Sequence, residues 1–189
     1  MDNERVLDAP PESASVAGKV TDRDAVFRAR IQGNLVAGFR LAAVILGSPS
    51  EAEDATQDAV ERAWRSRRQL RDPERFDAWF QRILVNSCRD RVRRRRSRPL
   101  LLTLSAGNQN CPPPSASGND PFAQTAERDA LRRALDRINV DQRVVIAMRF
   151  YLDLEIDEIA RRLAMPSGTV KSRLHRGLKE LRGAWEANR

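Results

Sequence analysis

The sequence is poor in aromatic residues, which make up 5% of its 189 positions, and it holds one histidine and two cysteines. Two cysteines and a histidine at unrelated spacings do not make a zinc site. Nor do Cys88, in a helical stretch, and Cys111, in a Pro-rich one, form a disulfide framework. We expect Cys88 to be a buried structural residue and Cys111 an incidental exposed one. No Gly-rich phosphate loop of the Walker type is present. The lone histidine, His175, has no acid–base partner evident in the sequence. Carboxylates able to hold Mg²⁺ exist, but Asp54 and Asp58 sit in a block with a different reading, below. These absences argue against an enzyme, a metal site and a cofactor. Long apolar runs are missing as well. The longest, Leu41 to Leu46, is far too short to span a bilayer. Residues 1–22 open with Asp2 and Glu4 and lack the basic head and apolar run of a signal peptide. A cytoplasmic protein with no membrane insertion is expected.

What is present is a helix-forming, basic composition. Ala, Leu, Arg and Glu recur, hydrophobic residues make up 41%, and the formal net charge is +8. That composition predicts an all-α protein with a modest core. A basic balance favours polyanions, although a charged soluble surface would have the same sum, so clustering must decide.

Composition shifts divide the chain into four. Residues 1–22, with Pro10 and Pro11 among Ser and Ala, read as a disordered tail. Residues 23–96 have helical periodicity. Residues 97–126 contain Pro99, Pro112, Pro113, Pro114 and Pro121 among Ser, Gly and Asn, and read as an extended linker. Periodicity returns over 127–186. The expected architecture is two small helical domains on a flexible tether.

In the C-terminal domain, Leu131, Ala134, Leu135 and Ile138 fall on one helix face. Val144, Val145, Met148 and Tyr151 suggest a second helix after a turn at Asn139–Asp141. Ile156, Ile159, Ala160 and Leu163 repeat the first spacing. Pro166 stops this third helix, and Ser167 is placed to cap a fourth over about 168–183. Val170, Leu174, Leu178 and Leu181 form the fourth helix's expected buried stripe. Ser172, His175, Arg176 and Lys179 face the other way, with Lys171 and Arg173 on the flanks. Two short helices, a tight turn and a cationic outer face match a DNA-reading helix-turn-helix. Thr169, Lys171, Ser172, Arg173, Arg176 and Lys179 are the candidate contacts to bases and phosphates. The competing reading is a solvated basic face on an ordinary helical bundle.

The N-terminal domain carries two faces of opposite sign. Asp54, Gln57, Asp58 and Glu61 lie at i, i+3, i+4 and i+7, over a packing surface of Ala55, Ala59, Val60 and Ala63. An acidic stripe on a basic protein suggests a basic protein partner, since DNA would repel it. The alternative is a solvated face with local ion pairs to Arg62 or Arg65. Further on, Phe80, Ile83, Leu84, Ser87 and Cys88 form the inner side of a long helix. Arg82, Asn86, Arg89 and Arg93 lie on one outer stripe, with Trp79 beside it. Base-edge donors beside an aromatic suit single-stranded or distorted DNA better than an intact groove. Trp79 is also a natural core residue. The helix ends in Arg91, Arg93 to Arg96 and Arg98, a phosphate clamp in the functional reading and a solubilising terminus in the other.

Three blocks together resemble the sigma factor family, specifically its small two-domain extracytoplasmic-function group. They are Glu53-Asp54-Ala55-Thr56-Gln57-Asp58-Ala59 with Ala63-Trp64; Arg75-Phe76-Asp77-Ala78-Trp79-Phe80 with Arg82-Ile83, Asn86, Asp90-Arg91 and the Arg run; and Met148-Arg149-Phe150-Tyr151, Glu158-Ile159-Ala160 and Gly168 through Arg176. The resemblance implies that Asp54, Gln57 and Asp58 meet the clamp helices of core RNA polymerase, and the helix face adds Glu61. It implies that Asn86 and the neighbouring Arg82, Arg89 and Arg93 handle the −10 element, to which the helix face adds Trp79, with the Arg67–Pro73 loop pocketing an extruded base. It implies that the last helix reads −35 and that an anti-sigma protein is a partner. Two departures stand out. The first helix, around Phe27 to Ile45, is poor in aromatics, and Glu155 occupies a position where Ser or Thr often caps the third helix of the last domain. The rival function is a stand-alone helix-turn-helix regulator. It gives no reason for the acidic stripe or for the Arg82–Arg93 row.

Overall fold

The computed structural model describes residues 12–97 and 121–187. Cys111 and most of the Pro-rich stretch lie outside the described residues, as do residues 1–11. The described residues are helical, with short turns and no strand among them.

Three helices build the N-terminal half. Helix α1 spans Glu12–Leu46, α2 spans Pro49–Ser66 and α3 spans Phe76–Ser97. Two 3₁₀ turns, Arg67–Gln69 and Pro73–Arg75, link α2 to α3. Helix α1 starts earlier than the sequence suggests, because residues 12–22, which read as tail, are helical. The two prolines end at Pro11, and nothing after them stops a helix. Gly47, at φ +70°, ends α1, a conformation that glycine alone adopts without strain. Ser48 then caps α2 by accepting the Glu51 amide at 3.4 Å, and Pro49 takes the first helical position.

Helix α2 packs on small residues. Ala52, Ala55, Ala59 and Ala63 are all fully buried, so its backbone approaches α1 and α3 closely. The rest of this core is aromatic. Phe27, Phe76 and Phe80 are buried, and Phe27 meets the rings of Trp64, Phe76 and Trp79 edge-on at 5.9, 5.5 and 6.1 Å. The few aromatics of the chain are thus concentrated where they fill most space. By length and composition Asp24–Leu46 could cross a membrane. Its residues Phe27, Ile31, Leu41, Ala42, Ile45 and Leu46 are instead buried inside the protein.

Four helices build the C-terminal half: α4 (Pro121–Arg137), α5 (Val140–Ile146), α6 (Ile156–Leu163) and α7 (Ser167–Glu186). Helix α4 takes in residues 121–126, which the sequence assigns to the linker. Pro121 is its first residue, a position where the missing amide costs nothing. Asn139 caps α5 by accepting the Asp141 amide at 2.9 Å, and Gln142 returns a bond to the Asn139 amide at 3.1 Å. A π-helical turn, Ala147–Tyr151, follows α5. Helix α6 begins at Glu155 without a side-chain cap and ends at Ala164 in the left-handed conformation. Ser167 does not cap α7. Pro166, in extended conformation, takes that place, and its carbonyl accepts the Thr169 and Val170 amides at 2.9 and 3.2 Å.

The apolar faces are buried largely as their spacing predicts. Ala134, Ile138, Val144, Val145, Met148, Ile159, Ala160, Leu163 and Val170 are all buried. Leu131 and Leu178 are exposed, at 41% and 38%, so both expected stripes emerge into solvent toward one end. Between Val170 and Leu178, Gly177 lets α7 meet α5. A Cβ there would lie 2.9 Å from Gln142 Cβ and 3.0 Å from Ile146 Cδ1.

The two halves touch. Core residues of α1, α5, α6 and the π-helical turn belong to one apolar cluster. Two arginines of the C-terminal half finish the end of α1. Arg143 donates to the Ile45 carbonyl at 2.7 Å, and Arg132 donates to the Gly47 carbonyl at 2.6 Å. The last carbonyls of a helix lack intrahelical donors and carry partial negative charge, so cations suit them. Arg143 is 2% exposed and also holds Asp136 at 3.0 Å. Burial depresses its pKa, which Asp136 opposes.

Candidate nucleic-acid and partner interface

On α7, Lys171, Ser172, Arg176 and Lys179 are exposed along one face, together with His175. The Ser172 hydroxyl donates to the Thr169 carbonyl at 3.0 Å, and Thr169 is half-buried. Lys171, Arg176 and Lys179 form no ion pair among the described residues. Arg173 turns inward, 3.7 Å from Asp141 and 3.7 Å from the Met165 sulfur. The helix before the turn, α6, is fixed by Glu158. Its carboxylate accepts from Arg161 and Arg162, and these cations hold it below the usual glutamate range. This is the geometry of a helix-turn-helix with its second helix outward.

On α3, the Arg82, Asn86, Arg89, Arg93 row is on one side, but its cations are differently engaged. Arg82 is exposed and unpaired among the described residues. Arg89 donates to Asn86 at 3.3 Å and to Asp141 of α5 at 2.7 Å. Arg93 pairs with Asp90 at 2.8 Å, and Asp90 also holds Arg62 at 3.0 Å. Arg95 meets Glu51 at 3.4 Å, while Arg94 and Arg96 are exposed without an ion pair among the described residues. Trp79 is half-buried, its ring packed against Phe27 and Phe76. The rest of the Trp79 side chain reaches solvent.

The turn from Arg67 to Pro73 is anchored at both ends. Arg67 bonds Asp24 at 2.9 Å and the Trp64 carbonyl at 3.0 Å, and its guanidinium lies 4.3 Å from the Trp64 ring centre. Arg67 in turn keeps the Asp24 carboxyl below its ordinary pKa. At the other end Arg30 holds the Pro73 carbonyl at 2.6 Å. Between these anchors Arg68, Gln69, Arg71 and Asp72 are exposed.

The acidic row of α2 splits in two. Asp54 and Asp58 face α3 and share Arg91, which reaches Asp58 at 3.1 Å and also pairs with Asp54. Gln57 and Glu61 border an open groove of about 820 Å³ between α1 and α2. Phe27, Ile31, Leu35, Val36 and Phe39 form much of the α1 wall, and Val36 is 61% exposed. Glu61 also pairs with Arg65, the local partner the sequence allows for, whereas Arg62 pairs with Asp90.

Sequence reasoning misses Arg91 as the clamp on Asp54 and Asp58, sees Asp141 only as part of a turn and not as a partner of Arg89 and Arg173, and misses Arg143 altogether. Arg143 has a signal. It is a lone charge before the apolar run Val144-Val145-Ile146. Cys88 is buried as expected, and burial pushes its thiol pKa up to about 12. No group of three or more metal-ligating side chains gathers among the described residues.

Two family models match the chain. Residues 32–98 match "Sigma-70 region 2" and residues 128–181 match "Sigma-70, region 4". The ECF RNA polymerase sigma factor SigM of Mycobacterium tuberculosis is 34% identical over 92% of this chain and 82% of its own. The chain is an extracytoplasmic-function member of the sigma-70 family. RNA polymerase sigma factor SigV of Bacillus subtilis is 29% identical to this sigma factor, over 76% of this chain and 81% of its own. Among solved structures, the sigma factor RpoE of Bartonella quintana, crystallised with the anti-sigma factor NepR, matches its fold. There the TM-score is 0.63 at 21% identity, covering 86% of the sigma factor and 98% of the matched chain. The region 2 match takes in the last part of α1 with α2 and α3, and the region 4 match most of α4 to α7. As a sigma factor, the protein directs RNA polymerase to promoters.

Proposed function

We propose that this sigma factor docks on core RNA polymerase through α2, reads a −35 duplex with α7, and captures the melted −10 strand with α3. The observation that carries the reading is the outer face of α7, where Lys171, Arg176 and Lys179 are exposed without an internal counter-charge among the described residues. Cations left uncommitted on a helix that projects from a helix-turn-helix suit bases and phosphates of a major groove. Thr169, Ser172 and Arg173 complete that surface. Arg82, Asn86, Arg89 and Arg93 give α3 a hydrogen-bonding row, and the exposed part of Trp79 offers a stacking surface beside it. The anchored turn from Arg67 to Pro73 is a stiff frame with an exposed polar rim, suited to an extruded base.

Docking uses Gln57 and Glu61 with the apolar groove beside them, and Asp54 and Asp58 at the far edge. The partner surface is a helix that is both apolar and basic. An anti-sigma protein that covers these same surfaces would hold the factor in reserve. The protein works in the cytoplasm, where polymerase and promoters are, and contributes selection rather than catalysis.

Run-off transcription with core polymerase and a genomic promoter library tests the whole reading. Transcripts that start at a shared sequence motif only when this chain is added are expected. Binding to duplex DNA by the chain alone, with no initiation by core enzyme, would instead make it a stand-alone regulator.

A further inference from the structure

The turn assigned to an extruded base is held by a helix that touches no DNA in that assignment. Arg67 opens the turn, and each of its guanidinium nitrogens is committed. Nε lies 2.9 Å and Nη2 3.5 Å from the two carboxylate oxygens of Asp24 on α1, and Nη1 donates to the Trp64 carbonyl at 3.0 Å. Pro73 closes the turn, and its carbonyl accepts from Arg30 Nη1 at 2.6 Å. Arg30 Nη2 is 3.5 Å from the carboxylate of Glu74, the next residue. One turn further along α1, Asn34 donates to the Arg30 carbonyl at 3.0 Å and to Asp77, in the first turn of α3, at 3.1 Å. We propose that Asp24 and Arg30 are positioning residues for promoter selection, which fix the two ends of the Arg67–Pro73 turn from α1 and so set the shape in which its rim meets a base. The proposal rests on the assignment of that turn to an extruded base.

Bonding within the turn supports this division of labour. Asp72 is used internally, accepting the Glu74 amide at 3.0 Å and pairing with Arg75 at 3.2 Å. The side chains of Arg68, Gln69 and Arg71 are exposed, with no hydrogen bond or ion pair among the described residues. The ends are tied and the rim is free. The backbone bonds of the turn are short-range, Leu70 to Arg67 and Arg75 to Asp72, and neither joins one end to the other. The span is therefore set through α1, where Asp24 and Arg30 are separated by about 9 Å of rigid helix at ~1.5 Å per residue. Both ion pairs are open to water, where such pairs add little to stability. Their geometric effect is larger. Contacts to a base removed from its stack discriminate only when they are closely aligned, and a small misplacement is costly. A turn tied beforehand also enters the complex already ordered.

The test uses holoenzyme assembled from core polymerase and the full-length chain, with promoters that carry every base in turn at each −10 position. Run-off yields give the base discrimination at each position. Asp24→Asn and Arg30→Gln each remove the charge at one end of the turn. Each should lower discrimination at the position read by the turn roughly three- to tenfold. Discrimination at −35 and core affinity in a pull-down should stay at the wild-type level. Arg30→Lys keeps a donor for the Pro73 carbonyl and should restore most of the loss. If Asp24→Asn fails to fold, Arg30→Gln, at the more exposed end, carries the test. Unchanged discrimination in the folded variants overturns the positioning role. So does a uniform loss at every promoter position together with weaker core binding, which is what a merely structural contact would produce. Replacing Arg68, Gln69 and Arg71 together by Ala separates the two claims. If that change abolishes discrimination at one position while Asp24→Asn and Arg30→Gln leave it intact, the turn reads a base without help from α1. If the change leaves every position as selective as before, the turn reads no base, and the positioning role falls with that assignment.

Discussion

Helix α3 and helix α7 both carry a row of cations, but their own protein treats the two rows differently. On α3, Arg89, Arg91, Arg93 and Arg95 each meet a carboxylate, from Asp141, Asp54 and Asp58, Asp90 and Glu51 respectively. On α7, Lys171, Arg176 and Lys179 meet none among the described residues, and Arg173 alone of its row reaches one, Asp141 at 3.7 Å. The supporting cores differ too. Region 2 packs α3 on aromatic rings, and region 4 packs α7 on aliphatic side chains and a close approach at Gly177. The paired arginines of α3 must exchange partners to bind a polyanion, whereas Arg82, Arg94 and Arg96 have no ion pair among the described residues. A row left open binds at once and is steered by long-range charge. On the proposed reading, α7 meets intact duplex and α3 meets a strand that exists only after melting, which gives the contrast a use.

Four measurements can break or sharpen that contrast. The largest effect should come from the aromatic core. Phe76→Ala removes a fully buried ring and should cost about 3–5 kcal/mol in urea denaturation. Leu178→Ala on α7, 38% exposed to begin with, should cost less than about 1 kcal/mol. Equal losses would mean that the two helices are not supported differently.

Next come the open cations. Lys171→Ala and Arg176→Ala should each weaken −35-dependent transcription by roughly 1–3 kcal/mol, the value of one good side-chain-to-base pairing. Arg93→Ala, whose cation is already held by Asp90, should cost less in the same run-off assay. The reverse order would show that internal pairing says nothing about use.

A smaller effect is expected on the protein-facing side. Asp58→Arg puts a second cation against Arg91 and reverses the charge offered to polymerase. Core affinity in a pull-down should fall by on the order of 1 kcal/mol, with the circular dichroism spectrum unchanged. Unchanged affinity would take Asp58 out of the docking surface. The smallest effect should be at Cys88, under the basic row. With its pKa pushed up to about 12, the thiol should resist alkylation at pH 8 in the native protein and react on unfolding. Rapid native labelling would show that region 2 opens far more readily than its packing implies.

Much of this is legible in the sequence, for physical reasons that can be named. Helix periodicity reports burial directly, so Ile159, Ala160, Leu163 and Val170 read as core and are core. Family resemblance rests on local blocks that mix core residues such as Phe76, Phe80 and Val170 with surface charges, and charge segregation is visible before folding. What escapes is everything that depends on distant partners. Asp54 and Asp58 look like free members of a stripe because nothing local shows Arg91 crossing over from a helix more than thirty positions on. Ser167 looks like a cap because its residue type fits, yet the extended Pro166 takes the place one residue earlier. The beginning of α1 is easily misread because its composition resembles a tail, while the prolines that break helices stop at Pro11.

The carbonyl end of α1 is finished by Arg132 and Arg143, from 85 and 98 positions downstream. Region 2 made as an isolated fragment would hand those carbonyls to water, and its last α1 turn would fray. Hybrids that graft a foreign region 4 onto this region 2 would inherit the same defect unless the graft brings arginines at both places. The junction between the two modules is thus part of the finish of α1.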